Sequence, residues 1–428
     1  MRERDKACAT RSRFREGDSH GGEETPQVAA LATALAPGAD TSIIGADRLS
    51  LAGATILNGF LITAMTMCDA HRPTLTHVTR EVVPPALAIA ERDNLSGRDL
   101  LTALAAGFEV TTRVGIGLDF PSFRAKGFHG PGVLGPFGAA AAVGRLLGFD
   151  AETMARGFGL AGSQSAGTFA AWGTPTVKFH QCRGALSGLM AALLAQQGFL
   201  ANPGFLTFPD GGLYSAYSDG GHPERVTADL GTRWELEQIA LRAWPAAAAI
   251  QGMITALFDL LDQHDLRPQD VNHVRVGLSQ TAFDLHGGYA TYVGKFQALL
   301  SAHYTAAATL HDQDLSLDQF EPERYDAPAL TRFAAERVSV AVDPALSGVQ
   351  SSVQVQLSDR ATFTARCTHP RGSPENPLTA AQVEAKFRRY AAPRLSSAQV
   401  DGVIQAVTQL DRLGSVRELM NMLRRASS

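Results

Sequence analysis

The sequence predicts a mainly α-helical protein of two domains, with a large helical domain and a smaller α+β domain. Its 428 residues exceed the usual size of one domain. Apolar residues make up 45% and charged residues 19%, which is typical of a folded protein with a large core. Apolar residues recur mostly at helical spacing up to about Trp244, and stretches of partial alternation appear only beyond it.

The first half of the chain is predicted to be helical after a polar start. Residues 1–24 are rich in charge, and we expect them to be disordered or poorly ordered. Apolar spacing then predicts helices over residues 26–35, 51–67, 96–114, 133–148, 151–161 and 183–197, and a short extended piece at 40–44. Gly148 is a typical C′ glycine, and Asp150 is an N-cap candidate for the next helix. Alanine and glycine dominate these helices, which predicts a closely packed bundle.

The second half combines strands and helices. Partial alternation predicts strands at residues 271–277, 338–342, 353–357 and 361–366, the last two joined by a turn at 358–360. Helices are expected over residues 251–263, 297–310, 379–390 and 397–423. This combination is typical of an α+β arrangement with antiparallel strands and helices to one side.

Charge and cysteine content argue against several functional classes. The formal charge of −4 and the lack of a long basic block give nucleic-acid binding little support. The cysteines form no CxxC pair, so no zinc knuckle or redox motif is indicated, and few unpaired cysteines fit a reducing cytosol. No run of about 18 apolar residues predicts a membrane span, and the charged start lacks the apolar stretch of a secretory signal. We therefore expect a cytoplasmic protein that binds neither nucleic acid nor membrane.

The first stretch that could carry chemistry follows an apolar helix and runs over residues 69–77. Pro73 is expected to end that helix, which places the flanking histidines on a loop. A cationic, hydroxyl-rich loop at a helix end could hold carboxylates. The alternative is a polar connection with incidental histidines. The polar residues in question are Asp69, His71, Arg72, Thr76 and His77.

The second stretch is a glycine-rich segment around His129. Gly127, Gly130 and Gly132 precede the alanine-rich helix, and glycines before a helix expose backbone N–H groups that suit an anion. His129 would then lie beside that anion. The alternative is a glycine loop with a structural histidine. No phosphate-loop or dinucleotide-binding spacing is present, so a nucleotide site is not indicated.

The third and fourth stretches lie at junctions. Lys178 and His180 lead into the helix predicted from residue 183, although a lysine at such a junction is often a solvated cap. Cys182 lacks a Cys–His catalytic signature and is interpreted as structural. Arg242 lies where the pattern changes, in a segment that is either a hinge between domains or a linker anchored by Trp244. No carboxylate cluster accompanies these cationic groups, which disfavours a divalent metal site.

Together and in this order, these stretches resemble the MmgE/PrpD family from about Ser50 to the C-terminus. The family includes 2-methylcitrate dehydratase, cis-aconitate decarboxylase and iminodisuccinate epimerase. The matching segments are residues 58–59 with 69–77, 127–129 with 137–141, 161–164 with 173–178, and 374–379. The resemblance implies a helical domain (25–240 and 377–428) and an α+β lid domain (241–376), usually in a homodimer. It also implies a cleft active site without metal or organic cofactor.

The resemblance also implies roles for individual residues. His77, His129 and Lys178 match family positions and are the catalytic candidates, with His71 assisting. The substrate-binding candidates are Asp69, Arg72, Thr76, His180 and Arg242. The implied function is that of a metal-free lyase or isomerase, which removes a proton next to a carboxylate of a small di- or tricarboxylate. Dehydration, decarboxylation and epimerisation all remain open.

Several positions depart from the family pattern. The family's Asp-x-Asp-Asp-Thr run corresponds to residues 66–70, where two acids are missing and Ala70 replaces the threonine. At the junction the family often has a lysine and, five residues later, a cysteine or histidine, where this chain has Arg242 and Ala247. The family spacing Lys-x-x-His is shortened to Lys178-Phe179-His180. These departures favour a second hypothesis, a catalytically altered member that binds an acidic or less charged metabolite without the usual reaction.

Overall fold

The computed structural model describes residues 24–424, and its internal contacts divide them into two compact units. Unit 1 comprises residues up to 64, residues 71–239 and the chain from 379 onward. Unit 2 comprises residues 65–70 and 240–378. The predicted domain limits at 241 and 376 lie within two residues of the main limits of unit 2. The disorder expected over residues 1–24 lies outside the described residues except for Glu24.

Helices dominate the chain, as predicted. They are, in chain order, α1 Thr25–Leu35, α2 Leu51–Ala64, α3 Thr79–Arg92, α4 Gly97–Ile116, α5 Phe120–Ala125, α6 Gly130–Leu146, α7 Ala151–Gly162, α8 Thr176–Gln196, α9 Leu213–Tyr217, α10 Glu224–Thr227, α11 Gln251–Gln263, α12 Gln280–His286, α13 Gly294–Leu300, α14 Ala302–Asp312, α15 Pro322–Tyr325, α16 Pro328–Arg337, α17 Ala380–Ala391, α18 Ser397–Thr408 and α19 Val416–Leu423. Short 3₁₀ turns connect several of them. Among residues 24–424, no helix is both long enough and apolar enough to cross a membrane.

Unit 1 is a helical bundle built around α6. Every residue from Gly130 to Gly144 in this helix is buried, and α6 packs against α4 and α8. The predicted helix signals are confirmed. The Asp150 side chain accepts a hydrogen bond from the Thr153 backbone N–H over 2.8 Å, and Gly148 has a φ of +71°. The predicted close packing is confirmed too, because small residues on α6 let its neighbours approach closely.

Gly138 marks the closest approach of α4 and α6, and Gly138→Ala is expected to destabilise the protein by about 1–3 kcal/mol. A Cβ there would collide with the Thr111 hydroxyl and lie 2.6 Å from the Gly107 carbonyl oxygen. Gly157→Ala in α7 is the matched control, because its Cβ would meet nothing closer than 3.8 Å. We expect that change to be neutral or stabilising by up to about 1 kcal/mol. Urea denaturation of both variants measures this, and equal stabilities would contradict it.

Four short strands come first in the described part of the chain, β1 Thr41–Ser42, β2 Arg48–Leu49, β3 Asp69–His71 and β4 Ile239–Leu241. Unit 2 contains the α+β part, whose strands are β5 Val271–Leu278, β6 Val338–Val342, β7 Ser351–Leu357 and β8 Thr362–Cys367, close to their predicted positions. They form one sheet in the order β6-β5-β7-β8. The β7–β8 hairpin turns at residues 358–360, as expected. The prediction of a wholly antiparallel sheet is wrong, because β5 and β6 are parallel. The helical connection between them, α12–α16, is long enough for the crossover that parallel strands require.

The remaining differences concern where helices begin and end. The helix predicted over 297–310 is two helices, because Ser301 ends α13 and its hydroxyl accepts from the Tyr304 N–H to begin α14. The helix predicted over 397–423 is interrupted between α18 and α19. The helix predicted from residue 183 begins at Thr176, so Lys178 and His180 lie in its first turns. Helix α3, which contains Pro84 and Pro85, has no counterpart in the sequence-based prediction.

Candidate functional site

Three segments of unit 1 that are distant in sequence lie side by side. They are the loop that leads into α3, the start of α6, and the first turns of α8. A Cβ placed on Gly130 would lie 3.4 Å from the Thr74 carbonyl oxygen, and one placed on Gly132 would lie 3.2 Å from the Cβ of His180. The segments carrying His77, His129 and His180 are therefore direct neighbours.

His129 and His180 form a hydrogen-bonded pair through their Nδ1 atoms, which are 3.2 Å apart. One Nδ1 must carry the proton and the other must accept it, so the pair fixes complementary tautomers. His129 lies at the N-cap position of α6 and is only 6% exposed. Since its Nδ1 is engaged, its Nε2 is the atom left to act on a ligand.

The surroundings of this pair hold both rings neutral. Burial lowers the pKa of His129 to about 3, and His180, when protonated, and the charges of Arg80 and Arg124 act in the same direction. The pKa of His180 is also lowered, first by burial and then by Arg183. The charged groups that act on the two neutral rings are cationic, so the site is suited to an anion.

Arg80 is a buried cation that sequence reasoning missed. It lies in the first turn of α3 and is 3% exposed. Its Nη1 donates to the side-chain oxygens of Thr63 in α2 and Gln181 in α8. These contacts hold a fixed positive charge near His129 and join three helices. The hydrogen bond from Arg80 to Gln181 joins residues 101 positions apart in the chain. No local sequence pattern could therefore have predicted it.

Arg124 is the second cation that sequence reasoning missed. Its guanidinium carbon lies over the Phe169 ring, 3.2 Å from the centroid, in a cation–π contact with the aromatic face. Phe169 in turn meets the His129 ring edge-on, with centroids 5.7 Å apart, and stacks on Trp172. The aromatic residues at 169 and 172 were the only local signal for this platform.

A glycine loop holds the platform against the start of α6. The His129 N–H donates to the Gly167 carbonyl oxygen over 3.0 Å, and the Phe169 N–H donates to that of Gly127 over 2.7 Å. Gly167 has a φ of +129°, and a Cβ there would lie 2.9 Å from the Nδ1 of His180. Only glycine adopts this φ without strain and leaves room for the His180 ring. Glycine at position 167 therefore permits the pairing of the two histidines.

His71 has a buried, hydrogen-bonded ring. It is 0% exposed, its Nδ1 lies 2.7 Å from the Thr74 hydroxyl, and its Nε2 lies 3.3 Å from a carboxylate oxygen of Glu235. Its backbone N–H donates to the Thr76 carbonyl oxygen over 2.9 Å. With both nitrogens engaged inside the protein, His71 shapes the loop. His77 lies further along the same loop and is half-buried, and so is Arg72.

Lys178 lies in the first turn of α8, two residues before His180, and is 5% exposed. Its Nζ is 3.8 Å from a carboxylate oxygen of Glu24. The predicted lysine thus shares the start of α8 with His180, and its charge is partly balanced by an acid at the start of α1. Its catalytic role stays a prediction.

Two predicted binding residues lie in unit 2. Asp69 is 1% exposed and Arg242 is 4% exposed. Arg242 donates from Nη1 to the Thr66 carbonyl oxygen over 2.8 Å and to the Ala246 carbonyl oxygen over 3.3 Å. Its Nη2 lies 3.5 Å from the Cys68 sulfur. Much of the hydrogen-bonding capacity of Arg242 is therefore used within its own unit.

The described part of the chain contains no group of three or more His, Cys, Asp or Glu side chains placed to hold a metal ion. Within unit 1, the site consists of paired imidazoles, fixed guanidinium groups and one lysine. Such a set can bind carboxylates through its cations and transfer protons through its imidazoles.

Comparison with known proteins extends this description. Residues 19–226 match the model of the MmgE/PrpD N-terminal domain, and residues 244–412 match that of the MmgE/PrpD C-terminal domain. The cis-aconitate decarboxylase-like protein oryM of Aspergillus oryzae is 28% identical over 89% of this chain and 84% of its own length. Cis-aconitate decarboxylase of Aspergillus terreus is 26% identical over 90% and 84%. The human cis-aconitate decarboxylase is 27% identical over 88% and 80%.

Proposed function

This chain belongs to the MmgE/PrpD family, and on that premise we propose that it is a lyase that removes carbon dioxide from a small unsaturated tricarboxylate. The observation that carries the proposal is the neutral His129–His180 pair, on which only cationic groups act. Relatives named cis-aconitate decarboxylase supply the reaction type and the substrate class.

The proposed reaction needs one proton and no oxidant. The bond between the CH2 carbon and its carboxylate breaks, and carbon dioxide leaves. The released electron pair forms a new C=C bond, and the former C=C pair moves to the carbon next to the distal carboxylate. That carbon then takes a proton. The cationic groups stabilise the negative charge that develops on the distal carboxylate.

His129 is the proposed proton donor, and His180 positions it. In the ligand-free site burial, and after it the surrounding cations, lower the pKa of His129 and keep it neutral. A bound polycarboxylate introduces negative charge beside those cations, which raises the pKa of His129 and favours its protonation. His77 and Lys178 lie on the neighbouring segments and complete the proposed set, with Lys178 as a point charge for a carboxylate. This chemistry uses side chains alone, and the homodimer and cytoplasmic location expected from the sequence belong to the same proposal.

A second candidate is a family member that binds an acidic or less charged metabolite without catalysing the usual reaction. Arg242 and Ala247 favour it. The guanidinium of Arg242 is bonded to carbonyl oxygens of its own unit, and Ala247 offers no proton where the family often has a cysteine or histidine. Both features suit a ligand with fewer carboxylates.

The test is incubation of the purified protein with cis-aconitate and a panel of di- and tricarboxylates in D2O, followed by NMR. We expect release of carbon dioxide and a dicarboxylate product that carries one deuterium on the protonated carbon. Thermal stabilisation by an acid with neither product nor deuterium would support the second candidate. No product, no exchange and no stabilisation across the panel would contradict both.

A further inference from the structure

We infer that Arg124, stacked on Phe169, forms a carboxylate subsite for the ligand of the histidine pair. The inference rests on the proposed function for the class of ligand, since a small polycarboxylate needs more than one cationic contact. Three properties of Arg124, which the sequence alone did not indicate as a site residue, support this role.

The first property is an unused guanidinium. Among residues 24–424, the Arg124 guanidinium has no carboxylate within ion-pair distance and donates no hydrogen bond, and its contact is with the Phe169 ring. Most other arginines near the pair have such partners, since Arg80 is bonded to Thr63 and Gln181 and Arg183 to the carbonyl oxygens of Gly132 and Ala166. A guanidinium has five N–H donors, so Arg124 keeps its full capacity for a ligand.

The second property is preorganisation. The guanidinium carbon lies over the Phe169 ring, 3.2 Å from its centroid, and this van der Waals contact restrains the group. A stacked guanidinium directs its N–H groups outward at its edge, which is the geometry for two parallel hydrogen bonds to one carboxylate. Phe169 is itself held by Trp172 and by its N–H bond to Gly127. The ordering cost is therefore largely met before a ligand arrives.

The third property is position. Phe169 touches both groups, with Arg124 on its face and the His129 ring at its edge. The charge of Arg124 acts directly on His129 and lowers the pKa of that ring. Partial burial lowers the pKa of Arg124 as well, although the residue is still partly exposed and open to a ligand. A carboxylate bound to Arg124 would therefore be close to His129, the proposed proton donor, because the same Phe169 ring contacts both residues.

The experiment measures binding of saturated, unreactive acids by isothermal titration calorimetry. Tricarballylate has three carboxylates, methylsuccinate lacks one terminal carboxylate, and glutarate lacks the central one. We expect Arg124→Gln to weaken tricarballylate binding by about 10–100-fold, and to leave unchanged the affinity for the diacid that lacks the carboxylate held by Arg124. Arg124→Lys should recover only part of the loss, because lysine keeps the charge but not the planar fork.

Two further variants separate a local contact from general effects. Arg98→Gln removes the same charge from an exposed site on α4 and should leave every affinity unchanged. Phe169→Leu keeps the Arg124 charge, removes the stacking platform, and should give an intermediate loss. Circular dichroism and melting temperatures confirm that the variants fold.

The outcomes also separate this inference from the proposed function. Tricarballylate binding that is equal in wild type and Arg124→Gln would overturn the subsite while leaving the proposed lyase intact. An equal loss of affinity for all three acids would mean that Arg124 contributes only to the overall positive potential of the site. That result would also overturn the subsite. Failure of the wild type to bind any of the acids would defeat both the subsite and the polycarboxylate class.

Discussion

Replacing His129 with asparagine is expected to lower kcat by about 10²–10⁴-fold, the usual contribution of a positioned acid–base group. The amide nitrogen of asparagine reproduces the position of Nδ1, so the hydrogen bond to His180 can persist. Nε2, the atom left to act on a ligand, is removed. A large loss with intact folding therefore isolates proton transfer from the architecture of the site.

The measurement is product formation from cis-aconitate or from the best acid in the panel, with kcat and KM determined separately. His273→Gln is the matched control, because that histidine lies on β5 of unit 2 and is bonded through Nε2 to the Ser339 hydroxyl over 2.8 Å. We expect the control to keep wild-type kinetics. If His129→Asn keeps them too, His129 is not the proton donor and the mechanism proposed for the pair is wrong.

Local signals made the fold largely predictable. Capping residues and glycines depend only on their immediate neighbours in the chain, so Asp150 and Gly148 were identified from the sequence. Strand positions in unit 2 followed from alternation. The parallel pairing of β5 and β6 did not, because pairing depends on the long helical connection between them rather than on either strand's own residues.

Candidate site residues could be identified from the sequence where they lie in or directly after glycine-rich or proline-containing segments. His129 and Lys178 follow such segments, and the sequence indicates both as candidates. Arg80 and Arg124 are ordinary arginines in local sequence, and their importance comes only from contacts made across the fold. The hydrogen bond between His129 and His180 also depends on contacts made across the fold, because the packing of their helices decides which imidazoles meet.

Acid is expected to destabilise the protein through its buried neutral histidines. Burial lowers the pKa of His286 from 6.5 to about 4, and Arg242 acts in the same direction, while that of His129 falls to about 3. Below pH 6.5 the unfolded chain binds a proton at each position and the folded chain does not, so protonation favours unfolding. The stability that each neutral histidine contributes is complete above pH 6.5 and is lost as pH falls towards the folded pKa.

At pH 5 the unfolded form has gained about 2 kcal/mol per histidine, at about 1.36 kcal/mol for each pH unit below 6.5. His286→Asn should remove the contribution of one histidine to this loss of stability in acid. Asparagine can still donate to the Leu300 carbonyl oxygen, which lies 2.9 Å from Nδ1 of His286, but it does not titrate. Urea denaturation at pH 7.5 and pH 5 should therefore show a smaller acid loss in this variant, by about 2 kcal/mol. His222→Asn, at a ring 42% exposed, is the surface control. An unchanged acid loss in His286→Asn would mean that this ring is already protonated, or hydrated, in the folded protein.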